Sequence, residues 1–192
     1  MIQLDEINDS FYYFPYQPSE SISDSDTPAP NVGGLDLITQ PEMIENIPEI
    51  KYSPMLKKLL IDLNSSTSPY ISLGCGYWAN YTENEASYCY LEFSFRDPLI
   101  AKNLNFIQMI DEKFIEFLHK NRQQLALDFS VPEQAFDTVH QAVFWSYRPY
   151  SYFGSEERIL LYFQAGSPHY QDLEIFLDLL HRFLTQYLAV SS

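Results

Sequence analysis

Apolar residues fall into two kinds of spacing along this chain. From Tyr70 onward, Ile71, Leu73, Cys75 and Tyr77 alternate with Ser72, Gly74, Gly76 and Trp78. A few residues later Cys89, Leu91, Phe93 and Phe95 alternate with Tyr88, Tyr90, Glu92 and Ser94. Period-two alternation predicts a β-hairpin with the first member of each pair on a core face. The glycines inside the first arm mark a bulge or a close backbone approach. A second alternating pair follows. Val143, Trp145 and Tyr147, then Ile159, Leu161, Phe163 and Ala165, are placed on the core face, with Phe144, Leu160 and Tyr162 opposite.

Each hairpin is followed by apolar residues at three- and four-residue spacing. Ile100, Leu104, Ile107, Ile110, Phe114, Phe117 and Leu118 form the stripe of a long helix opened by Asp97-Pro98 and ending near His119–Arg122, where basic residues complement the helix dipole. Leu125–Phe129 then reads as extended. A last helix from Pro168 to about Ala189 carries Leu173, Phe176, Leu177, Leu180, Leu184, Tyr187 and Leu188, plus Ile175, Leu179 and Phe183. That face is too wide for a surface helix, so it belongs in the core or in a subunit interface. Earlier, Ser53-Pro54 supplies a cap and a first-turn proline for a short helix with Leu56, Leu59, Leu60 and Leu63 inside and Lys57 and Lys58 in water. Leu35–Thr39 reads as a short strand and Pro41–Asn46 as one helical turn.

Residues 70–118 and 140–188 align without gaps at a shift of 70, matching Tyr77 to Tyr147, Phe93 to Phe163, Pro98 to Pro168, Phe106 to Phe176 and Leu118 to Leu188. The expected fold is α+β: a four-stranded antiparallel sheet built from a duplicated ββα unit, with the helices packed on one face. The opposite face would carry Trp78, Tyr88, Tyr90, Phe144, Leu160 and Tyr162, too apolar to be left in water. An N-terminal arm, a second copy in a homodimer, or a partner should cover it.

Charge divides the chain further. Residues 1–50 hold ten acidic residues and neither Lys nor Arg, so two thirds of the net charge of −15 lies there. The reading is an acidic, partly disordered arm, 1–50, before a single α+β domain, 51–192. The stretch SESISDSDTPAPNVGG within the arm is expected to be a flexible linker. Ahead of it, Phe11, Tyr12, Tyr13, Phe14 and Tyr16 either dock on the protein's own sheet, the favoured reading, or form a recognition motif.

Candidate chemistry is sparse. There is no Gly-rich phosphate loop, HExxH or paired Cys-x-x-Cys. The histidines 119, 140, 169 and 181 stand singly, so neither a metal nor a cofactor is expected. Cys75 and Cys89 are read as free thiols. Cys75 and His140 fall at comparable places in the two copies and would serve an enzyme if the fold joined them. So acidic a surface disfavours nucleic acid and anionic membrane and favours a basic protein. No run approaches a membrane span, and the start, MIQLDEINDS, lacks the features of a secretory signal; a cytoplasmic location is expected.

The leading expectation is a non-catalytic protein-binding protein, an immunity or antitoxin-type inhibitor of a basic toxin. Its contacts would be Tyr147, Tyr150, Tyr152, Phe153, Glu156 and Glu157 at one hairpin tip, Trp78, Glu83 and Glu85 at the other, and Phe11, Tyr12 and Tyr13 of the arm. Tyr and Trp offer large rigid contact area, and carboxylates steer a basic partner. The alternatives are a small-molecule-binding module with an apolar pocket, or an enzyme of unrecognised type.

Overall fold

The structure, a computed structural model, describes residues 2–5, 12–18, 32–80 and 86–188. It is a mixed α+β fold. Four antiparallel strands form the body of the sheet: β3 (Tyr70–Trp78), β4 (Ser87–Phe95), β5 (Val143–Tyr152) and β6 (Glu156–Ser167), in the order β5-β6-β4-β3. Two short strands of the arm, β1 (Gln3–Leu4) and β2 (Tyr12–Phe14), add in parallel to the free edge of β5. The sheet is therefore mixed and not purely antiparallel. The physical reason is that β5 would otherwise end the sheet with a row of unpaired amides and carbonyls, and the arm covers them.

The two hairpin-and-helix halves are not equivalent. In the first hairpin Tyr77 pairs with Cys89; in the second, Tyr147 pairs with Leu161, two residues off the register that a shift of 70 requires. The first strand also contains a bulge between Ser72 and Gly74, at one of the glycines that signalled it. The bulge changes which face Ile71 and Leu73 meet. Both were expected on the helix side; instead they join Phe14, Tyr150 and Leu160 in a small core on the opposite face. Cys75 and Tyr77, past the bulge, stay with the main core, as do Cys89, Leu91, Phe93 and Phe95.

The helices behave differently in the two halves as well. The stripe beginning at Asp97-Pro98 is three helices: α2 (Pro98–Ala101), α3 (Leu104–Ile107) and α4 (Ile110–Phe129). Asp97 caps α2 by accepting from the Leu99 amide at 2.8 Å, and Asn103 restarts the chain by accepting from the Phe106 amide at 3.1 Å. α4 does not stop near residue 120, and Leu125–Phe129 is its last turn, not extended chain. Leu125 continues the buried line of Leu118, and Arg182 holds Asp128 from the neighbouring helix. The helix ends at Ser130, which takes a left-handed conformation with φ 55°.

α1 (Pro54–Asn64) is as expected: Ser53 Oγ accepts from the Leu56 amide at 2.9 Å, and Leu56, Leu59, Leu60 and Leu63 are buried. Pro41–Asn46 forms a 3-10 turn. Leu35–Thr39 is not a strand, because the Asp36 carboxylate accepts from the Ile38 and Thr39 amides and bends the chain into a turn. α6 (Gln171–Arg182) begins three residues beyond Pro168, since β6 extends to Ser167 and Ser167 Oγ caps a turn by accepting from the His169 amide. After one π-helical turn, Phe183–Tyr187, it closes over the main core. Leu173, Leu177, Leu180 and Phe183 are fully buried, so the wide apolar face of this helix is core within the subunit. α1, α4 and α6 all contribute to that one core, on one side of the sheet.

Candidate functional site

Among the described residues, the face of the sheet away from the helices is divided between the arm and an aromatic strip with two exposed side chains, Tyr88 and Phe144. The arm's share is closed by Phe14, which is 1% exposed, and by Tyr150 at 0%. Phe14 stacks on Tyr152 with centroids 6.1 Å apart and meets Phe153 edge-on at 5.7 Å, while its carbonyl accepts from the Phe153 amide at 2.7 Å. Of the run Phe11, Tyr12, Tyr13, Phe14 and Tyr16 expected to dock on the protein's own sheet, Tyr12, Phe14 and Tyr16 do so, Tyr13 is exposed, and Phe11 lies outside the described residues. The signal was the aromatic run itself; the sequence marks Gly33 and Gly34 only as part of a flexible linker. Those glycines lie against residues 15–18, where an added Cβ would come within 2.9 Å of backbone atoms.

Beside the arm lies a buried charged cluster that the alternation pattern did not reveal. Glu92 projects from β4 onto this face. Its Oε1 accepts from Arg148 Nη2 at 2.5 Å, and its Oε2 accepts from the Tyr12 hydroxyl at 3.0 Å. Arg148 Nη1 reaches Asp5 at 3.4 Å, and the guanidinium lies 4.4 Å from the Tyr12 ring centre. Gly74 makes this possible: a side chain there would meet Glu92 Oε2 at 2.6 Å. Burial pushes the Glu92 carboxyl up, while Arg148 and Tyr12 pull it down. The Tyr12 hydroxyl is pushed well above its ordinary range, first by burial and then by Glu92. A carboxylate in an otherwise apolar strand and an arginine among aromatics were the available signals; their pairing across two hairpins was not.

The aromatic strip crosses all four central strands. Trp78 stacks on Tyr88 at 4.6 Å and on Tyr90 at 5.6 Å; Tyr90 stacks on Tyr162 at 5.3 Å; Phe144 meets Tyr162 at 6.4 Å. Gly76 is the floor of this ladder, since a Cβ there would lie 2.3 Å from the Trp78 ring and 2.4 Å from Tyr90. Trp78 and Tyr90 can reach over β3 here because that position has no side chain. Tyr88 is 39% exposed and Phe144 45%.

The second hairpin tip does not project as a separate aromatic surface. β5 carries Tyr147, Tyr150 and Tyr152 within its pairing, so Tyr150 is inaccessible and Tyr152 is half-buried beneath Arg158, 4.0 Å from its ring centre. Tyr147 faces the helices and accepts from Gln108 at 3.0 Å. Phe153 alone of these is exposed, in a turn with φ 49° at Phe153 and 67° at Gly154. Glu156 is paired with Arg158 and Lys102, and Glu157 is exposed. Tyr13 is exposed on β2. Phe11, Glu83, Glu85 and most of the expected linker lie outside the described residues.

Cys75 and His140 do not meet. Cys75 lies on β3 and His140 on a short helix (Val139–Ala142) leading into β5, at opposite edges of the four central strands. At ~4.8 Å per strand that is roughly 14 Å. Both cysteines are free thiols. Among the described residues no three His, Cys, Asp or Glu side chains are grouped as a metal site requires, and no helix is long and apolar enough to cross a membrane.

Comparison of the chain with protein-family models, with curated proteins and with solved structures gives no match. The functional reading therefore rests on the residues themselves.

Proposed function

We propose that this chain is a non-catalytic binding protein, of the immunity or antitoxin type, that captures a basic protein on its open sheet face. The observation that carries the reading is the aromatic strip Trp78–Tyr88–Tyr90–Tyr162–Phe144, of which Tyr88 and Phe144 are exposed among the described residues. Rigid rings give contact area at little entropic cost, and the exposed Tyr88 and Phe144 are the ones placed to meet Lys and Arg side chains. The net charge of −15 supplies long-range attraction to the same kind of partner. That the two halves descend from one duplicated unit is a separate proposal, supported by the matched Asp97-Pro98 and Ser167-Pro168 pairs.

The experiment is capture from host lysate on the full chain, followed by association kinetics with whatever is retained. The expected result is one basic protein at stoichiometric level, with an association rate that falls steeply from low to physiological salt. A captured partner whose rate is flat with salt removes electrostatic steering from the account; an acidic or absent partner removes the reading itself.

A further inference from the structure

A cavity of about 230 Å³ lies at the free edge of β3, where the arm residues 32–37 and the 3-10 turn Pro48–Lys51 fold against the sheet. Its polar and aromatic lining comes from Tyr16, Glu49, Cys75, Trp78 and Tyr90; the remainder is mostly aliphatic. No Lys, Arg or His is among the described residues that line it. Glu49 forms no ion pair with any described Lys or Arg.

The chemistry of this lining selects by charge. A half-buried carboxylate without a counter-ion is costly, and burial raises the Glu49 carboxyl above its ordinary value. Cys75 and Tyr16 are pushed up as well, first by burial and then by Glu49 and Glu92. With a carboxylate and no cationic side chain among its described lining residues, the cavity repels anions and favours a cation. Three aromatic side chains line the same space, two of them, Trp78 and Tyr90, stacked on each other, and they give the apolar groups of a cation ring surface to pack against. A primary ammonium brings three donors that need acceptors. Beyond Glu49 the cavity offers chiefly two phenols and a weakly accepting thiol, and Ser72 Oγ already accepts from Asn64 at 2.7 Å. A quaternary ammonium has no donors to satisfy. The volume is below the ~300–1,000 Å³ of drug-sized sites, and well above the ~30 Å³ share of one water.

We propose that this cavity binds a small free organic cation of the quaternary-ammonium class, with Trp78, Tyr90 and Tyr16 against its apolar head and Glu49 as its counter-ion. The site shares Trp78 and Tyr90 with the aromatic strip but is tested separately from partner binding: Glu49 and Tyr16 are not on the strip, and Tyr88 and Phe144 do not line the cavity.

Titration calorimetry on the full chain tests this with choline as probe and 3,3-dimethylbutan-1-ol as its neutral counterpart. Saturable binding of choline is expected, about tenfold or more tighter than the neutral alcohol. Choline should also change tryptophan emission in a Trp145→Phe variant, where Trp78 is the remaining reporter. Glu49→Gln should weaken choline about tenfold while the variant's unfolding midpoint holds or rises, because a half-buried carboxylate with no described counter-ion has been removed. No saturable binding at millimolar choline, equal binding of the alcohol, or an unchanged affinity in Glu49→Gln each overturns the proposal. A trimethyl-lysine peptide that outcompetes choline moves the head group to a protein source and overturns the free-ligand assignment.

Discussion

Replacing Arg148 with Met should destabilise the protein by about 3–5 kcal/mol, because it leaves the buried Glu92 carboxyl without its cation. Glu92 is 7% exposed and the Arg148 side chain 19%, so solvent cannot replace the lost partner well. The same change removes the tie to Asp5 and the cation over Tyr12, loosening both arm strands from β5. The double variant Glu92→Gln/Arg148→Met removes both charges and should recover more than half of the loss, since the Gln carbonyl still accepts from Tyr12. Urea denaturation of the three proteins checks this. A single variant within about 1 kcal/mol of wild type would mean that the pair is effectively solvated and that the arm is held by other contacts.

The second large effect concerns Phe14. Phe14→Ala should cost about 3–5 kcal/mol, the usual range for deleting a fully buried aromatic ring. At roughly 2–4 °C per kcal/mol for a chain of this size, the melting temperature falls by roughly 6–20 °C. The ring is the largest apolar side chain that the arm contributes to the small core of Ile71, Leu73, Tyr150 and Leu160. Thermal unfolding by circular dichroism measures the shift. A loss below about 1 kcal/mol would show that the arm contributes little to the sheet. If the loss is as expected, residues 51–192 alone lack both a covered β5 edge and a filled second core. Deleting the arm would then test stability before it tested partner contact, and point substitutions are the cleaner probes.

These two positions also mark where the sequence stops being legible. Local signals were reliable where local physics decides. Ser53-Pro54 opens α1, Gly74 marks the bulge, and alternation places Trp145, Leu161, Phe163 and Ala165 on the helix side. The consequence of the bulge was not legible: one extra residue reverses the facing of everything before it, so Ile71 and Leu73 moved to the other core. The break of the 98–129 stripe was visible in principle, since Asn103 stands before Leu104 as a cap, but a continuous apolar stripe concealed it. The parallel strands of the arm had no local signature at all. Tyr12–Phe14 is three residues long with no alternation, and its pairing to Tyr150–Tyr152 spans more than half the chain.

The candidate sites divide in the same way. The strip was legible as a set of residues, because period two puts Trp78, Tyr88, Tyr90, Phe144 and Tyr162 on one face. How much of that face the arm would leave open was not. The hairpin tip misled for a related reason: Tyr147, Tyr150 and Tyr152 resemble a loop in composition, yet strand pairing continues to Tyr152 and buries Tyr150. The cavity draws on residues 16, 49, 75, 78 and 90, and the Glu92–Arg148 pair joins two hairpins; only tertiary folding brings either together.

The central claim is that the bare aromatic strip is a partner-binding surface, and the most direct measurement compares capture by wild type and by Tyr88→Ala/Phe144→Ala under identical conditions. Both residues are substantially exposed, so the unfolding midpoint should barely move. The account predicts that the basic partner retained by wild type is lost, with affinity weakened by roughly thirtyfold or more. Equal retention of the same partner by the folded double variant would contradict it and place the binding surface elsewhere on the molecule.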